Sequence, residues 1–246
     1  MNHHRLKLSP AVVAPCLLIA AFFTGCETTA TSPNASAPAT TPQGLVKVDR
    51  KGQELVYLRP GANFSAYDQF MIIEPAVAYR KDWRSDQNAG RAGVDKITDA
   101  DMQRMIAKGK ELLVEEFSAA LTKGGYKLAT APGPNVLAVK PSLYDVDVFA
   151  PDPDGTANLG GRTMSDGAGA ATIALDLSDS VSGQLLAQAF DRKSDSGSSY
   201  NWSVSRTQSS NISDASYAFG QWAKMLVKGL DHMKAAGAAP AAPATK

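Results

Sequence analysis

Two stretches of this chain are spelled as amphipathic helices with their own start signals, and the residues between them must supply the surface those helices cover. The first opens at Thr98, with Asp101 three residues on as the acidic partner of a capping box and Ile97 and Met102 as a hydrophobic staple. Apolar side chains then recur at Met102, Ile106, Leu113, Phe117 and Leu121, one helical stripe. Lys123-Gly124-Gly125 closes it with a C-cap glycine. The second is predicted to repeat the device, with Ser213 as cap, Ile212 and Tyr217 as staple, and a stripe through Ala218, Trp222, Met225, Leu226, Gly229 and Met233. A helix with a single apolar stripe must bury it against something.

Strands supply that partner. Residues 70–73 form a short apolar run ending before Pro75. Residues 136–149 read as a long strand with Tyr144, Val146 and Val148 on one face and Asp145 and Asp147 on the other. Residues 170–177 put Ile173, Leu175 and Leu177 together, and a turn through Ser178-Asp179-Ser180-Val181-Ser182-Gly183 returns the chain along 185–191 as a hairpin. Residues 45–58 add an edge hairpin around Lys51-Gly52. The order β–α–β–β–β–α predicts an α+β (mixed α/β) domain: a sheet of about four to six strands with two main helices packed on it.

Before that domain stands an address. Arg5 and Lys7 precede 16 uncharged residues from Leu8 to Phe23, the pattern of a signal peptide over residues 1–25. A membrane span needs roughly 20 apolar residues, and Pro10 and Pro15 interrupt this shorter run. Phe23-Thr24-Gly25-Cys26 resembles the lipobox of bacterial lipoproteins, with Phe23 where leucine is usual. That resemblance implies cleavage between Gly25 and Cys26, diacylglyceryl transfer to the Cys26 thiol and N-acylation with palmitate-type chains. Each buried methylene contributes roughly 0.8 kcal/mol, so two or three chains anchor a protein firmly where one does not. Glu27, in place of an aspartate, favours the periplasmic face of the outer membrane by analogy with lipoprotein sorting.

Composition divides the remainder. Residues 26–44 are Thr, Ala, Ser and Pro with almost no large apolar side chain, so they read as a flexible tether that spans about 60 Å when fully extended. Residues 45–236 are expected to form one globular domain, and 237–246 a low-complexity Ala/Pro tail.

Within the domain, Leu55-Val56-Tyr57-Leu58-Arg59-Pro60-Gly61, Gly125-Tyr126-Lys127-Leu128 with Pro132-Gly133-Pro134, and Leu175-Asp176-Leu177 with Ser178-Asp179-Ser180, Gly183 and Phe190-Asp191-Arg192 resemble an uncharacterised bacterial lipoprotein family, domain-of-unknown-function 3313. The resemblance covers most of residues 45–235. The order of elements is also similar to small envelope accessory lipoproteins whose domains mediate assembly. No catalytic residues come with it.

The side chains themselves exclude several chemistries. With 25 basic and 24 acidic residues the chain has no field to draw it to nucleic acid. Once the leader is removed, His232 is the one remaining histidine, expected near the end of the last helix, where it complements the helix dipole. A Ser-His or Cys-His mechanism therefore has no base to work with, and no Gly-x-Ser-x-Gly elbow occurs. Zinc lacks its ligands. Taking Gly155 as position six of a calcium loop places Ala150 and Gly161 where carboxylates are required, so Asp152-Pro153-Asp154-Gly155 reads as a turn. Gly167-Ala168-Gly169 has Thr172 where a dinucleotide fingerprint needs glycine. No metal and no cofactor are expected.

Two functions remain in view. The favoured one is a membrane-tethered, non-catalytic binding or assembly module whose partner is another envelope protein or peptidoglycan. Its candidate partner surface is Tyr79, Trp83 and Arg84, with Tyr200 and Trp202 as a second patch, because aromatics among cations are the composition of an interface. The competing use of these rings is to cover the core beneath a loop. The alternative function is a carboxylate-dependent hydrolase of envelope glycan built on Glu74, Asp145 and Asp147.

Overall fold

A computed structural model describes residues 38–48, 55–153, 163–195 and 204–238. The strands are β1 (Val46–Val48), β2 (Leu55–Leu58), β3 (Gln69–Ile72), β4 (Ala76–Tyr79), β5 (Lys127–Leu128), β6 (Val136–Val148), β7 (Thr163–Ser165), β8 (Gly169–Asp179), β9 (Leu185–Asp195) and β10 (Val204–Arg206). The helices are α1 (Trp83–Asn88), α2 (Asp99–Lys123) and α3 (Gln208–Ala238). The mixed α+β class is as expected, but the main sheet is wider than the predicted four to six strands. It has eight, in the order β1-β2-β9-β8-β6-β3-β5, with β4 also on β6; β7 and β10 form a separate pair.

The central strand explains the extra width. At 13 residues, β6 is long enough to carry two parallel neighbours end to end: β3 along Val136 to Val139 and β4 along Ser142 to Val146. The chain leaves the ladder between them at Pro75, which has no N–H to give. On its other side β6 pairs antiparallel with β8, β8 with β9, and β9 with β2. The hairpin at 178–183 and the pairing of β1 with β2 are as read from the sequence; the Lys51-Gly52 turn lies outside the described residues. Toward the end of the expected tether, Pro38 accepts the Tyr57 hydroxyl and Gln43 accepts from Arg59, so the chain lies against the sheet edge before Leu45 enters the core.

Both long helices cover one face of the sheet. From α2, Leu113, Phe117 and Leu121 are fully buried; from α3, Phe219, Trp222, Ala223, Leu226 and Leu230 join them over Leu137, Val139 and Leu143 of β6 and Ile173, Leu175 and Leu177 of β8. The α2 start is as predicted. Thr98 Oγ1 accepts the Asp101 N–H at 3.2 Å while Asp101 Oδ2 accepts the Thr98 N–H at 2.7 Å. Gly124 caps the other end, and Gly125 follows at φ +89°.

The start of α3 corrects the sequence reading. The helix begins at Gln208, five residues before Ser213, and its cap is Thr207. Thr207 Oγ1 accepts the Ser210 N–H at 3.1 Å, and Ser210 Oγ accepts the Thr207 N–H at 2.9 Å. A capping box closed by serine in place of an acid carries no charge signature, so the apolar stripe alone points too far down the chain. Ser213 instead donates to the Ser209 carbonyl, and Tyr217 is 71% exposed, not stapled. Asp152, read as part of a surface turn, is buried and accepts the Gln208 N–H at 3.0 Å, placing a carboxylate at the positive end of α3. Because α3 runs on to Ala238, His232 is exposed on its flank before the last turn.

Strict alternation along β6 also fails at its far end. Asp145 sits at φ +50° in a bulge between Tyr144 and Asp147, so Asp145 and Asp147 do not share a regular strand face.

Buried phenols tie the layers together. Tyr67 donates to Asp179 Oδ2 at 3.0 Å; burial first, then Asp179, pushes its pKa up to about 12. Tyr126, beside Asp231, is pushed up to about 12 by burial and that carboxylate, and burial raises Tyr79 as well. A folded pKa above the unfolded value of about 10 means the protonated phenol stabilises the fold fully below pH ~10 and ceases to do so as pH rises through ~12. The urea midpoint should therefore fall steeply between about pH 10 and 12. Tyr67→Phe with Tyr126→Phe should flatten that fall; an unchanged slope would show that these phenols do not control it.

Candidate binding cleft

Where α3 begins, the helix and the sheet do not close on each other. The pairing register places Gly169, Ala171 and Ile173 of β8 opposite Asp195, Lys193 and Asp191 of β9. Trp222 of α3 donates its indole N–H to Asp191 Oδ2 at 2.6 Å, which identifies this as the helix-covered face. Above it, Asn211, Asp214, Ala215, Ala218 and Trp222 follow one another along one side of α3 at helical spacing. Gly169 and Ala171 below and Ala215 and Ala218 above are too small to meet across the gap. The result is an open cleft of ≈ 820 Å³ between helix and sheet, with Leu143, Val146 and Val148 of β6 forming its far wall.

Its charged groups are engaged within the protein. Lys193 Nζ lies 3.9 Å from Asp191 Oδ2 and 5.8 Å over the Trp222 ring. Arg206 of β10 is buried, pairing with Asp214 at 2.5 Å and Asp195 at 3.9 Å. Asp147 is held by Arg80 at 3.0 Å, and Asp86 shares the same guanidinium. Among the described residues, two buried side-chain polar atoms have no hydrogen-bond partner: Arg206 Nε and Asn211 Oδ1. Asn211 Nδ2 donates to the Ala150 carbonyl at 2.9 Å.

The residues singled out from the sequence lie elsewhere. Trp83 corrects the partner-surface reading: it is 1% exposed, its indole N–H donates to the Val148 carbonyl at 3.1 Å, and Tyr79 packs against it with ring centres 4.5 Å apart. These rings cover the core under β6, because an isolated tryptophan beside a long sheet strand buries more area there than in solvent. Arg84 is at the surface and pairs with Asp99 at the start of α2. Gly25, Cys26, Tyr200 and Trp202 lie outside the described residues. Of the carboxylates considered for hydrolysis, Glu74 pairs with Lys110 at 2.6 Å and Asp147 with Arg80, so they point into separate ion pairs; Lys110 holds the Glu74 carboxyl below its ordinary range. Among the described residues no group of three or more His, Cys, Asp or Glu side chains is placed to hold a metal, and no helix is long and apolar enough to cross a membrane.

Sequence reasoning missed Lys193, Arg206, Asn211, Asp214 and Ala215. The available signal was the small-residue run Gly167-Ala168-Gly169-Ala170-Ala171, weighed only as a phosphate loop. In the structure Ala168, Gly169, Ala170 and Ala171 of this run line the cleft.

The family model described as "Protein of unknown function (DUF3313)" matches residues 37–226. No curated protein matches the chain. Among solved structures, the chain is similar to the PelC dodecamer of Paraburkholderia phytofirmans at 14% identity, over 70% of this chain and 95% of that one, with a TM-score of 0.33. It is also similar to a Xanthomonas campestris protein assigned to the DUF330 family, at 14% identity over 73% and 91% of the respective chains, with a TM-score of 0.37.

Proposed function

This chain belongs to the DUF3313 family of proteins of unknown function, and from that premise we propose that it is a non-catalytic binding module, lipid-anchored through Cys26 to the periplasmic face of the bacterial outer membrane. The cleft under α3 carries the reading. Its ≈ 820 Å³ falls in the range of ligand sites, about 300–1,000 Å³. A general base needs a free lone pair within reach of a substrate proton. Here the lining carboxylates Asp147, Asp195 and Asp214 each lie beside an arginine, and histidine and cysteine are absent from the described lining. Carboxylates paired in this way are suited to holding the shape of the cleft, which supports a module that binds without turnover. The partner is an envelope component, a protein or peptidoglycan, consistent with the leader and the lipobox-like Phe23-Thr24-Gly25-Cys26.

Incubation with peptidoglycan and with envelope extract tests the module reading. Retention without release of soluble product is expected; product release that disappears in Asp145→Asn or Asp147→Asn would establish the hydrolase instead. The anchor has its own test. Cys26→Ala should remove fatty-acyl labelling and move the protein from carbonate-washed membranes into the soluble fraction, and a variant that still sediments would rule out lipid anchoring.

A further inference from the structure

We infer that residues 38–44 are a latch on the tether: docked along β1 they shorten the reach of the domain from its anchor, and released they lengthen it while the domain stays folded. This rests on the lipid-anchored reading and adds to it a device with two lengths.

The docked form extends the end of the sheet. β1 is its terminal strand, and the segment before it folds back along the outer edge. Thr40 bridges antiparallel to Val46, the Lys47 N–H donates to the Ala39 carbonyl at 2.9 Å, and the Thr41 N–H donates to the Leu45 carbonyl at 2.8 Å. The bend is Thr41-Pro42-Gln43-Gly44. There the Gly44 N–H donates to the Thr41 carbonyl at 2.9 Å, and Thr41 Oγ1 accepts the Leu45 N–H at 3.1 Å. Gly44 takes φ +79°, which glycine adopts without strain. Two side chains clasp the segment from below. Tyr57 of β2 donates its hydroxyl to the Pro38 carbonyl at 3.1 Å, and Arg59 Nη2 donates to the Gln43 carbonyl at 3.1 Å.

Burial separates a latch from a structural strand. From Pro38 to Gly44 no side chain is buried, whereas Leu45 is 0% exposed. Surface hydrogen bonds alone hold the segment, and each raises the docked population by about two- to tenfold. Fixing one residue's backbone opposes docking by about five- to thirtyfold, and by less at Pro38 and Pro42, whose φ is already restricted. The two contributions are of similar size, which puts the segment at the low-stability end of the fold, where opening is local. Opening stops at Leu45, because freeing it exposes a fully buried side chain.

The consequence is a change of reach. Docked, the tether from anchor to domain is residues 27–37, about 35–40 Å when extended; released, it is residues 27–44, about 60 Å. A partner held beyond the shorter reach pulls along the sheet edge and opens these bonds one after another.

Hydrogen exchange on the chain from residue 27 onward, which keeps every described residue, tests the docked form. The Thr41 and Lys47 amides should exchange about ten- to a hundredfold more slowly than in an unstructured peptide. The Arg59 amide, which donates to the Leu186 carbonyl, should be slower by at least about another hundredfold. Tyr57→Phe with Thr41→Val removes the clasp on Pro38 and the side-chain acceptor for Leu45. Protection at Lys47 should then fall by about tenfold, with Arg59 unchanged; should the pair disturb circular dichroism, Thr41→Val alone replaces it. Unprotected Thr41 and Lys47, or protection at Lys47 indifferent to the substitutions, overturns the docked form. Protection equal to that of Arg59 overturns release, because the segment then opens only with the sheet.

Pulling the same chain by its two ends in an optical trap tests release directly. A lengthening step of about 20–25 Å should precede unfolding of the domain. Thr40→Cys with Val46→Cys places a disulfide across the bridged pair; oxidation should abolish the step and reduction restore it. Unfolding with no earlier step, or a step indifferent to the disulfide, overturns the latch. These measurements contain no membrane, so they succeed or fail independently of the anchor, which the Cys26→Ala fractionation decides.

Discussion

Trp222→Ala is expected to lower the unfolding free energy by about 3–5 kcal/mol, the range for a buried tryptophan truncated in a packed core. Trp222 does three things at once. It is 1% exposed; it stacks on Phe219 with ring centres 6.0 Å apart; and its indole N–H donates to Asp191 at 2.6 Å. Alanine would open the cleft's inner end into the core and leave Asp191 with only the 3.9 Å contact to Lys193. Trp222→Phe separates the two components, because it keeps the ring and removes the donor. It should cost about 1.5–3 kcal/mol, as for a hydrogen bond to a charged group. Urea unfolding followed by far-UV circular dichroism measures both. A Trp222→Ala protein as stable as its parent would mean that α3 does not pack on the sheet through this residue.

Local signals and long-range geometry account for what was legible in the sequence. The α2 helix is written entirely within its own 25 residues: capping box, stripe and C-cap glycine all lie in one window. The β8–β9 hairpin is equally local. By contrast, β4 and β5 have four and two residues and owe their existence to partners 66 and 58 positions away, Ser142 for Ala76 and Gln69 for Lys127. Sequence alone leaves Trp83 open between a partner surface and a core cover because its neighbours Arg80, Lys81, Asp82 and Arg84 are polar, and the strand it covers begins more than 50 residues later. The cleft is harder still. It arises from alanines on two elements separated by about 40 residues, each unremarkable within its own periodic pattern. Periodicity reports which face a side chain occupies, but not whether the facing side chain is large enough to reach it.

Gly169→Ala is the second substitution with a large expected effect, and it acts through the backbone. Gly169 opens β8 at φ +146°, and a Cβ built there would lie 2.2 Å from the Asp147 carbonyl oxygen and 3.2 Å from Val148 Cα. The obstacle is main chain from the neighbouring strand, so no rotamer change can relieve it. Nor can β6 retreat easily: Val148 pairs with Gly169 and Asp147 with Ala170, and the Val148 carbonyl is held by Trp83 and Gln87. The substituted chain must therefore give up the β6–β8 pairing beyond the Asp145 bulge, at a cost of about 3 kcal/mol or more from strain and lost pairing together. Hydrogen exchange at the Phe149 amide, which donates to the Ala168 carbonyl at 3.2 Å, should report the opening directly. Gly183 supplies the control. It also has a positive φ, +69°, but a Cβ there meets nothing within 4 Å. Gly183→Ala should cost only the left-handed preference, about 1–2 kcal/mol. Equal costs at the two positions would mean that backbone conformation alone governs both, and that the close approach of β6 to Gly169, which shapes the floor of the cleft, is not maintained in solution.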